Sequence, residues 1–332
     1  MFGSDLTIFQ PRRRFSPSRL RWLAALLFAV AALAQQGWYP TEGVLLKYRV
    51  NLFFGQEPPG APDGFVLSRV SSITTDSEGN VYVFQRGKRA DPLVVFDKDG
   101  RFVRSWGKGM FVNPHNVRFD PEENIWITDN QGHQVFKCTK EGKVLMTLGV
   151  KGQRGADETH FGGPSDVAFA KNGDFYVSDG YQNSRIVRFN KEGKYLASWG
   201  KRGSGPGEFN VVHALAIDST GKIYASDMLN DRIQIFDSDG KFLQQWTHLG
   251  AVPGLYMASN NELWALAIRS HEENDASAGL AGKILKIDTA TGDILGSMSS
   301  PGHSIHVDKD RNIWIGSLAG NAFKWSPIPA KN

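Results

Sequence analysis

Between Pro164 and Gly200 the chain alternates apolar and polar positions in four short runs, 166–170, 174–178, 185–190 and 194–199. Asn-Gly, a Gly-Tyr-Gln-Asn loop and Glu-Gly separate them. Each run is too short for an ordinary helix and is rich in Val, Ile, Phe, Tyr and Trp, while the separators are turn residues, so the stretch predicts a four-stranded antiparallel unit. The second run can be followed along the chain as NVYV at Val81, NIWI at Ile125, DFYV at Phe175, KIYA at Ile223, ELWA at Leu263 and NIWI at Ile313. These positions lie 40 to 50 residues apart, the period of a propeller blade. The pattern predicts an all-β chain, a six-bladed β-propeller.

The last repeat has three runs, 303–308, 312–316 and 321–325, and then ends in SPIPAKN, whereas the apolar run VLLKYRVNLFFG at 44–55 belongs to no repeat. Lending 44–55 to the last blade as its fourth strand closes the ring and removes two open sheet edges. The propeller is therefore expected over 44–328, after a linker at 35–43. Residues 1–34 carry a basic segment, PRRRFSPSRLR, then a 13-residue apolar run from Trp22 that ends in Ala32-Leu33-Ala34. They predict a signal peptide cleaved before Gln35 and export to the periplasm or beyond. Arg12-Arg13-Arg14-Phe15 is similar to a twin-arginine motif. The run falls short of the ~20 residues that span a bilayer, so membrane attachment follows only if the segment stays uncleaved.

Composition changes the picture in two places. The net charge of +4 invites a nucleic-acid reading, but Arg12, Arg13, Arg14, Arg19, Arg21 and Asp5 all lie in the first 34 positions. Without them the propeller is neutral and lacks the basic stripe that phosphate binding needs, which excludes nucleic acid as a partner. Cys138 is the single cysteine, so no intramolecular disulfide forms; its place in a strand predicts a buried structural thiol. Most tryptophans sit in strands and predict packing between blades. Arg185 after Asp179 and Arg232 after Asp227 predict ion pairs bracing neighbouring blades, and the polar insertion from Ser270 to Gly279 predicts a mobile surface loop, with a lid over the channel as the alternative. A monomer is expected.

The candidate chemistry lies in a register. Taking Asp76, Asp120, Ala170, Asp218, Asn260 and Asp308 as the ends of the first strands and counting back five gives Ser71, His115, Ser165, His213, Leu255 and His303. The histidines fall in blades two, four and six, and first strands line the channel of a propeller, so three imidazoles are expected to meet at the axis. With 8 histidines in 332 positions, chance sets this pattern on the order of one time in a thousand. Three neutral nitrogens with a fourth position open are the ligand set of a catalytic zinc. His133, His160, His248, His271 and His306 show no such register and predict structural or surface roles.

Five stretches carry a further likeness: NPHNVRFDPEENIWITDNQGHQVFK (113–137), HFGGPSDVAFA (160–170), FYVSDGYQNSRIVRF (175–189), SWGKRGSGPGEFNVVHALAI (198–217) and, more loosely, PGHSIHVDKDRNIWIGS (301–317). Through them the chain resembles the peptidyl-α-hydroxyglycine α-amidating lyases (peptidylamidoglycolate lyases), six-bladed propellers of NHL-type repeats, over residues 44–326. The resemblance implies zinc on His115, His213 and His303, Tyr181 as catalytic base, Arg86 as an active-site arginine for the substrate carboxylate, and cleavage of a peptidyl-α-hydroxyglycine to an amide and glyoxylate. The chain departs from the family in three ways. Met228 stands where a second arginine is expected, with Arg232 four residues on as the nearest substitute. Ser304 stands where the family's calcium-binding aspartate would be, leaving main-chain carbonyls near Ile73 and Val117 and weakening the case for calcium. The family's disulfides are absent, Gln182 taking the place of one cysteine. Two other readings stay open: a non-catalytic NHL propeller that binds a protein or small molecule on its top face, and a metal-dependent propeller enzyme with a different substrate.

Overall fold

The computed structural model describes residues 44–54, 59–268 and 282–329. The signal segment 1–34, the linker 35–43 and the insertion 270–279 lie outside them. Six antiparallel sheets follow one another along the chain, each strand bonded to the one before it. The inner strands are Val70–Thr75, Pro114–Phe119, Pro164–Phe169, Val212–Ile217, Ala251–Met257 and Ser304–Val307. Each packs beside the next and the last beside the first, which closes the ring of six blades.

Burial follows from position in the blade. Second strands such as Val81–Gln85 and Phe175–Asp179 are buried on both faces between neighbouring sheets, while outer strands such as Tyr195–Trp199 alternate between exposed and half-buried. The tryptophan ending several outer strands lies across a glycine in the last hairpin of the following blade: Trp106 over Gly142, Trp199 over Gly240 and Trp246 over Gly292. A Cβ at those glycines would come within 2.5–2.7 Å of the indole, so glycine there lets blades stack. Cys138 is buried and unpaired, and burial pushes its thiol up to about 12. It is inert, as its strand context predicts.

Hairpin turns between first and second strands repeat one device. The carboxylates of Asp76, Asp120, Asp218 and Asp308 accept backbone N–H groups two and four residues on, and a ring hydroxyl or indole N–H from the second strand. In blade five the turn begins at Ala258, whose N–H donates to Glu262 O at 2.9 Å, and not at Asn260. Asn261 takes the left-handed conformation (φ 64) that Gly79, Gly173 and Gly221 supply elsewhere. Lacking both the aspartate and the glycine, this turn misleads the sequence count by two, and the residue in the histidine register of blade five is Pro253, not Leu255.

Tyr48–Phe54 pairs antiparallel with Ala322–Pro327, Val50 opposite Trp325, and completes blade six as expected. Val44–Leu45 departs from the single strand predicted over 44–55. It pairs in parallel with Gly296 and Ser297 of blade five, and Leu46 N–H donates to Ser297 O at 3.1 Å. The segment thus covers a second, otherwise open edge. Arg185 and Arg232 also differ from expectation. Each bonds the aspartate of its own blade, Asp179 or Asp227, and the carbonyls of the loop entering that blade, at 156–160 and 205–208. They clamp the connection between blades; the blade faces themselves stack on apolar groups.

The axis is crossed by a buried ion pair. Arg118 in blade two donates from Nε and Nη2 to the two oxygens of Asp166 in blade three, both at 2.6 Å, and from Nη2 to Leu255 O in blade five at 2.8 Å and Leu215 O in blade four at 3.3 Å. Asp166 also accepts from Leu215 N–H at 3.0 Å and from the Asn116 amide, which in turn accepts the Ser72 hydroxyl of blade one. Below it opens a cavity of about 390 Å³ lined by Thr74, Thr75, Arg118, Tyr256 and His306 among others.

Two outcomes are expected. Arg118→Ala leaves Asp166 buried without its cation and should lower stability by about 3–5 kcal/mol, read as a fall in the denaturant midpoint; an unchanged midpoint would show that the pair holds nothing together. Replacing residues 44–54 by a Gly/Ser linker of equal length uncovers the edge of Ala322–Pro327 and should abolish the cooperative thermal transition followed by circular dichroism.

Candidate functional site

Each candidate ligand sits where the inner strand breaks its ladder. In blade two Pro114 faces Asp129 and Asn116 faces Thr128, leaving His115 as the extra residue of a β-bulge. In blade four Val212 faces Asp227 and Leu215 faces Ala225, so His213 and Ala214 together oppose Ser226. His303 lies just ahead of its inner strand and donates its N–H to Gly316 O at 2.7 Å. Bulges re-aim side chains, and here they turn successive residues toward the channel.

The three imidazoles meet, with ring centroids 4.9, 5.1 and 5.2 Å apart. Each is oriented by the following blade: His115 Nδ1 lies 2.7 Å from Ser165 O, His213 Nδ1 2.7 Å from Pro253 O, and His303 Nδ1 2.7 Å from Ser71 O. A carbonyl can only accept, so Nδ1 carries the proton and Nε2 keeps its lone pair. Burial, reinforced by the other imidazoles, holds His115 well below the usual histidine range; burial brings His213 down to about 4 and His303 to about 3. The rings are neutral at physiological pH, and their candidate ligand atoms lie within 4.8 Å of one another.

Tyr181 reaches the cluster from the loop after the second strand of blade three. Its hydroxyl lies 2.8 Å from His115 Nε2 and 3.0 Å from His213 Nε2. Gly180 is required for this approach, since a Cβ there would lie 1.9 Å from Val212 O. Burial raises the phenol to about 12, with Arg86 acting in the opposite direction. Arg86 donates from Nε to Pro114 O at 2.7 Å, and its Nη2 is buried with no hydrogen-bond partner among the described residues.

The chemistry of this donor set fits a cation. Converging lone pairs face a single hydroxyl, which has one proton to give, and neutral imidazole nitrogen is a preferred zinc donor. Deeper in the channel, Ser304 holds a buried hydroxyl with no hydrogen-bond partner among the described residues, and Arg118 is bonded to both oxygens of Asp166. The structure brings His115, His213, His303, Tyr181 and Arg86 to one mouth of the channel. It keeps Arg232 away: all three guanidinium nitrogens are bonded, to Asp227, Gln245, Gly205 and Glu208, so it cannot stand in for the missing arginine. Met228 is buried in an apolar cluster. The sequence reading missed the orienting carbonyl of Pro253 and the pair Arg118–Asp166; charged residues inside otherwise apolar inner-strand runs were the available signal for the latter.

A family model described as a 6-bladed beta-propeller matches residues 154–248. The peptidyl-glycine alpha-amidating monooxygenase of Mus musculus is 35% identical over 210 residues, 54% of this chain and 21% of that protein. The peptidyl-alpha-hydroxyglycine alpha-amidating lyase 1 of Drosophila melanogaster is 34% identical over 161 residues, 41% of this chain and 30% of that protein. NHL repeat-containing protein 3 of Homo sapiens is 31% identical over 201 residues, 57% and 56% respectively. The chain thus spans from about a fifth to about half of the length of these relatives. Among solved structures, virginiamycin B lyase from Staphylococcus aureus superposes with a TM-score of 0.55 at 16% identity, covering 85% of this chain and 100% of that one, a likeness of fold alone. The chain is a six-bladed β-propeller, similar at 31–34% identity to proteins named peptidyl-alpha-hydroxyglycine alpha-amidating lyase and NHL repeat-containing protein.

Proposed function

We propose that this propeller is a zinc-dependent carbon–nitrogen lyase that cleaves peptidyl-α-hydroxyglycine-like substrates to an amide and glyoxylate. The observation that carries the reading is the convergence of three neutral imidazoles, the Tyr181 hydroxyl and the unpartnered Nη2 of Arg86 in one mouth. His115, His213 and His303 would hold the zinc, which when bound supplies Lewis-acid polarisation of the substrate hydroxyl. Arg86 receives the carboxylate, a planar fork meeting a planar anion. Tyr181 accepts the hydroxyl proton as the C–O bond becomes a carbonyl and the C–N electron pair leaves with nitrogen. The nitrogen takes up a proton to give the amide, so no net proton is gained or lost. Tyr181 can accept that proton only as the phenolate, which a pKa raised to about 12 makes scarce at neutral pH, and among the described residues Arg86 is the neighbouring cation that eases its ionisation.

The apolar Met228 favours a second reading, a non-catalytic propeller that keeps a metal as a structural pin and binds a partner on this face. Turnover separates the two.

His213→Ala should lose most of an expected one zinc per chain, because two remaining protein ligands bind far more weakly; elemental analysis reads this, and full zinc in the variant removes the metal site. Tyr181→Phe should slow glyoxylate release from α-hydroxyhippurate by about 10²–10⁴-fold with zinc content unchanged. Unchanged turnover takes Tyr181 out of the mechanism, and no glyoxylate from zinc-loaded wild type rejects the lyase reading in favour of the binding one. Arg86→Ala should raise KM for substrates bearing the carboxylate and also lower kcat, because the phenol loses the cation that eases its ionisation.

A further inference from the structure

The mouth above the histidines is not symmetric. Two residues ahead of the histidine register, the six blades present Arg69, Asn113, Gly163, Val211, Ala251 and Pro301. Blade one alone contributes a charge to this ring. Arg69 is exposed and holds a left-handed backbone (φ 53), a conformation that residues with side chains rarely adopt. Its carbonyl accepts the N–H of Arg86 at 3.2 Å, which fixes the two arginines as neighbours. No carboxylate pairs with either guanidinium among the described residues, and the charge of Arg69, after burial and against Tyr181, helps to depress the pKa of Arg86. Two adjacent cations with no carboxylate partner among the described residues form a site for an anion.

Across the ring the lining is apolar. Val211 and Met228 pack with Ala251 and Ile268, and half-buried Leu229 and Tyr181 lie against them. Met228 N–H donates to Val211 O at 3.0 Å and Leu229 N–H to Asn210 O at 2.9 Å, which seats this short helical turn against the inner strand of His213. The histidines stand between the cationic and apolar sides.

We propose that Arg69 is the second guanidinium for the substrate carboxylate, working beside Arg86, and that it orients the substrate so that a bulky apolar acyl group lies toward Val211, Met228 and Leu229. The inference rests on the lyase reading and narrows its substrates to N-acyl-α-hydroxyglycines with apolar acyl groups. A second arginine is then needed in blade one, because the opposite wall is committed to the acyl group.

Calorimetric titration with N-acetylglycine and N-benzoylglycine tests it, since both acids lack the α-hydroxyl and binding is read without turnover. Wild type should bind N-benzoylglycine about tenfold or more tightly than N-acetylglycine, the worth of burying part of a phenyl ring. Arg69→Gln should weaken both by about tenfold, the loss of one charge-assisted pair, leave zinc content unchanged, and be partly rescued by Arg69→Lys. Wild-type affinity for both acids in Arg69→Gln overturns the carboxylate role. Equal affinities for the two acids, or binding of neither by wild type, overturns the substrate orientation. Glyoxylate release from α-hydroxyhippurate judges the lyase reading separately, whatever these affinities are.

Discussion

A ring of six inner strands leaves a hole, and here an ion pair fills it. Arg118 and Asp166 are taken out of water at a cost that their mutual attraction alone would not offset. The additional bonds make the arrangement work: carbonyls of Leu215 and Leu255 accept from the guanidinium, while Leu215 N–H and Asn116 donate to the carboxylate. With Ser72 bonded to Asn116, the network touches blades one to five. It also divides the channel, placing the histidine cluster on one side and the cavity with Tyr256 and His306 on the other. The mouth that holds Tyr181 therefore has a floor, and that floor is a charge-paired network.

On this floor the histidines form an acceptor-rich chamber. Their donors are spent on carbonyls of blades three, five and one, so ligand blades alternate with orienting blades around the ring. The odd blades orient the imidazoles through backbone carbonyls, which serine and proline both supply, while the hydroxyls of Ser71 and Ser165 bond to backbone carbonyls nearby. Burial keeps the imidazoles neutral and the phenol protonated, the state in which lone pairs face a single O–H.

The blades were legible because period and turn chemistry are local. The histidine register was legible for the same reason, and it failed only in blade five, where Ala258 and Asn261 replace both the aspartate and the glycine, of which every other turn keeps at least one. What the sequence hid was non-local. Arg118 and Asp166 are 48 residues apart, and nothing near either announces the other. The bulges were equally hidden, because an extra residue in one strand shows itself only against its partner. Splitting of 44–55 between two blades depends on where blade five leaves an edge, a fact of the ring and not of the segment.

Closure by Tyr48–Phe54 has a temporal side. During synthesis this strand emerges early, yet its partner Ala322–Pro327 follows roughly 270 residues later. An apolar strand must therefore wait unpaired while five blades form, the kind of long-range closure that slows folding and exposes a chain to misassociation. His303 arrives in the same late stretch. The third imidazole and the seal of the ring thus both belong to the end of the chain, so a chain caught before residue 303 has two of the histidines at most and no finished chamber in which to hold an ion.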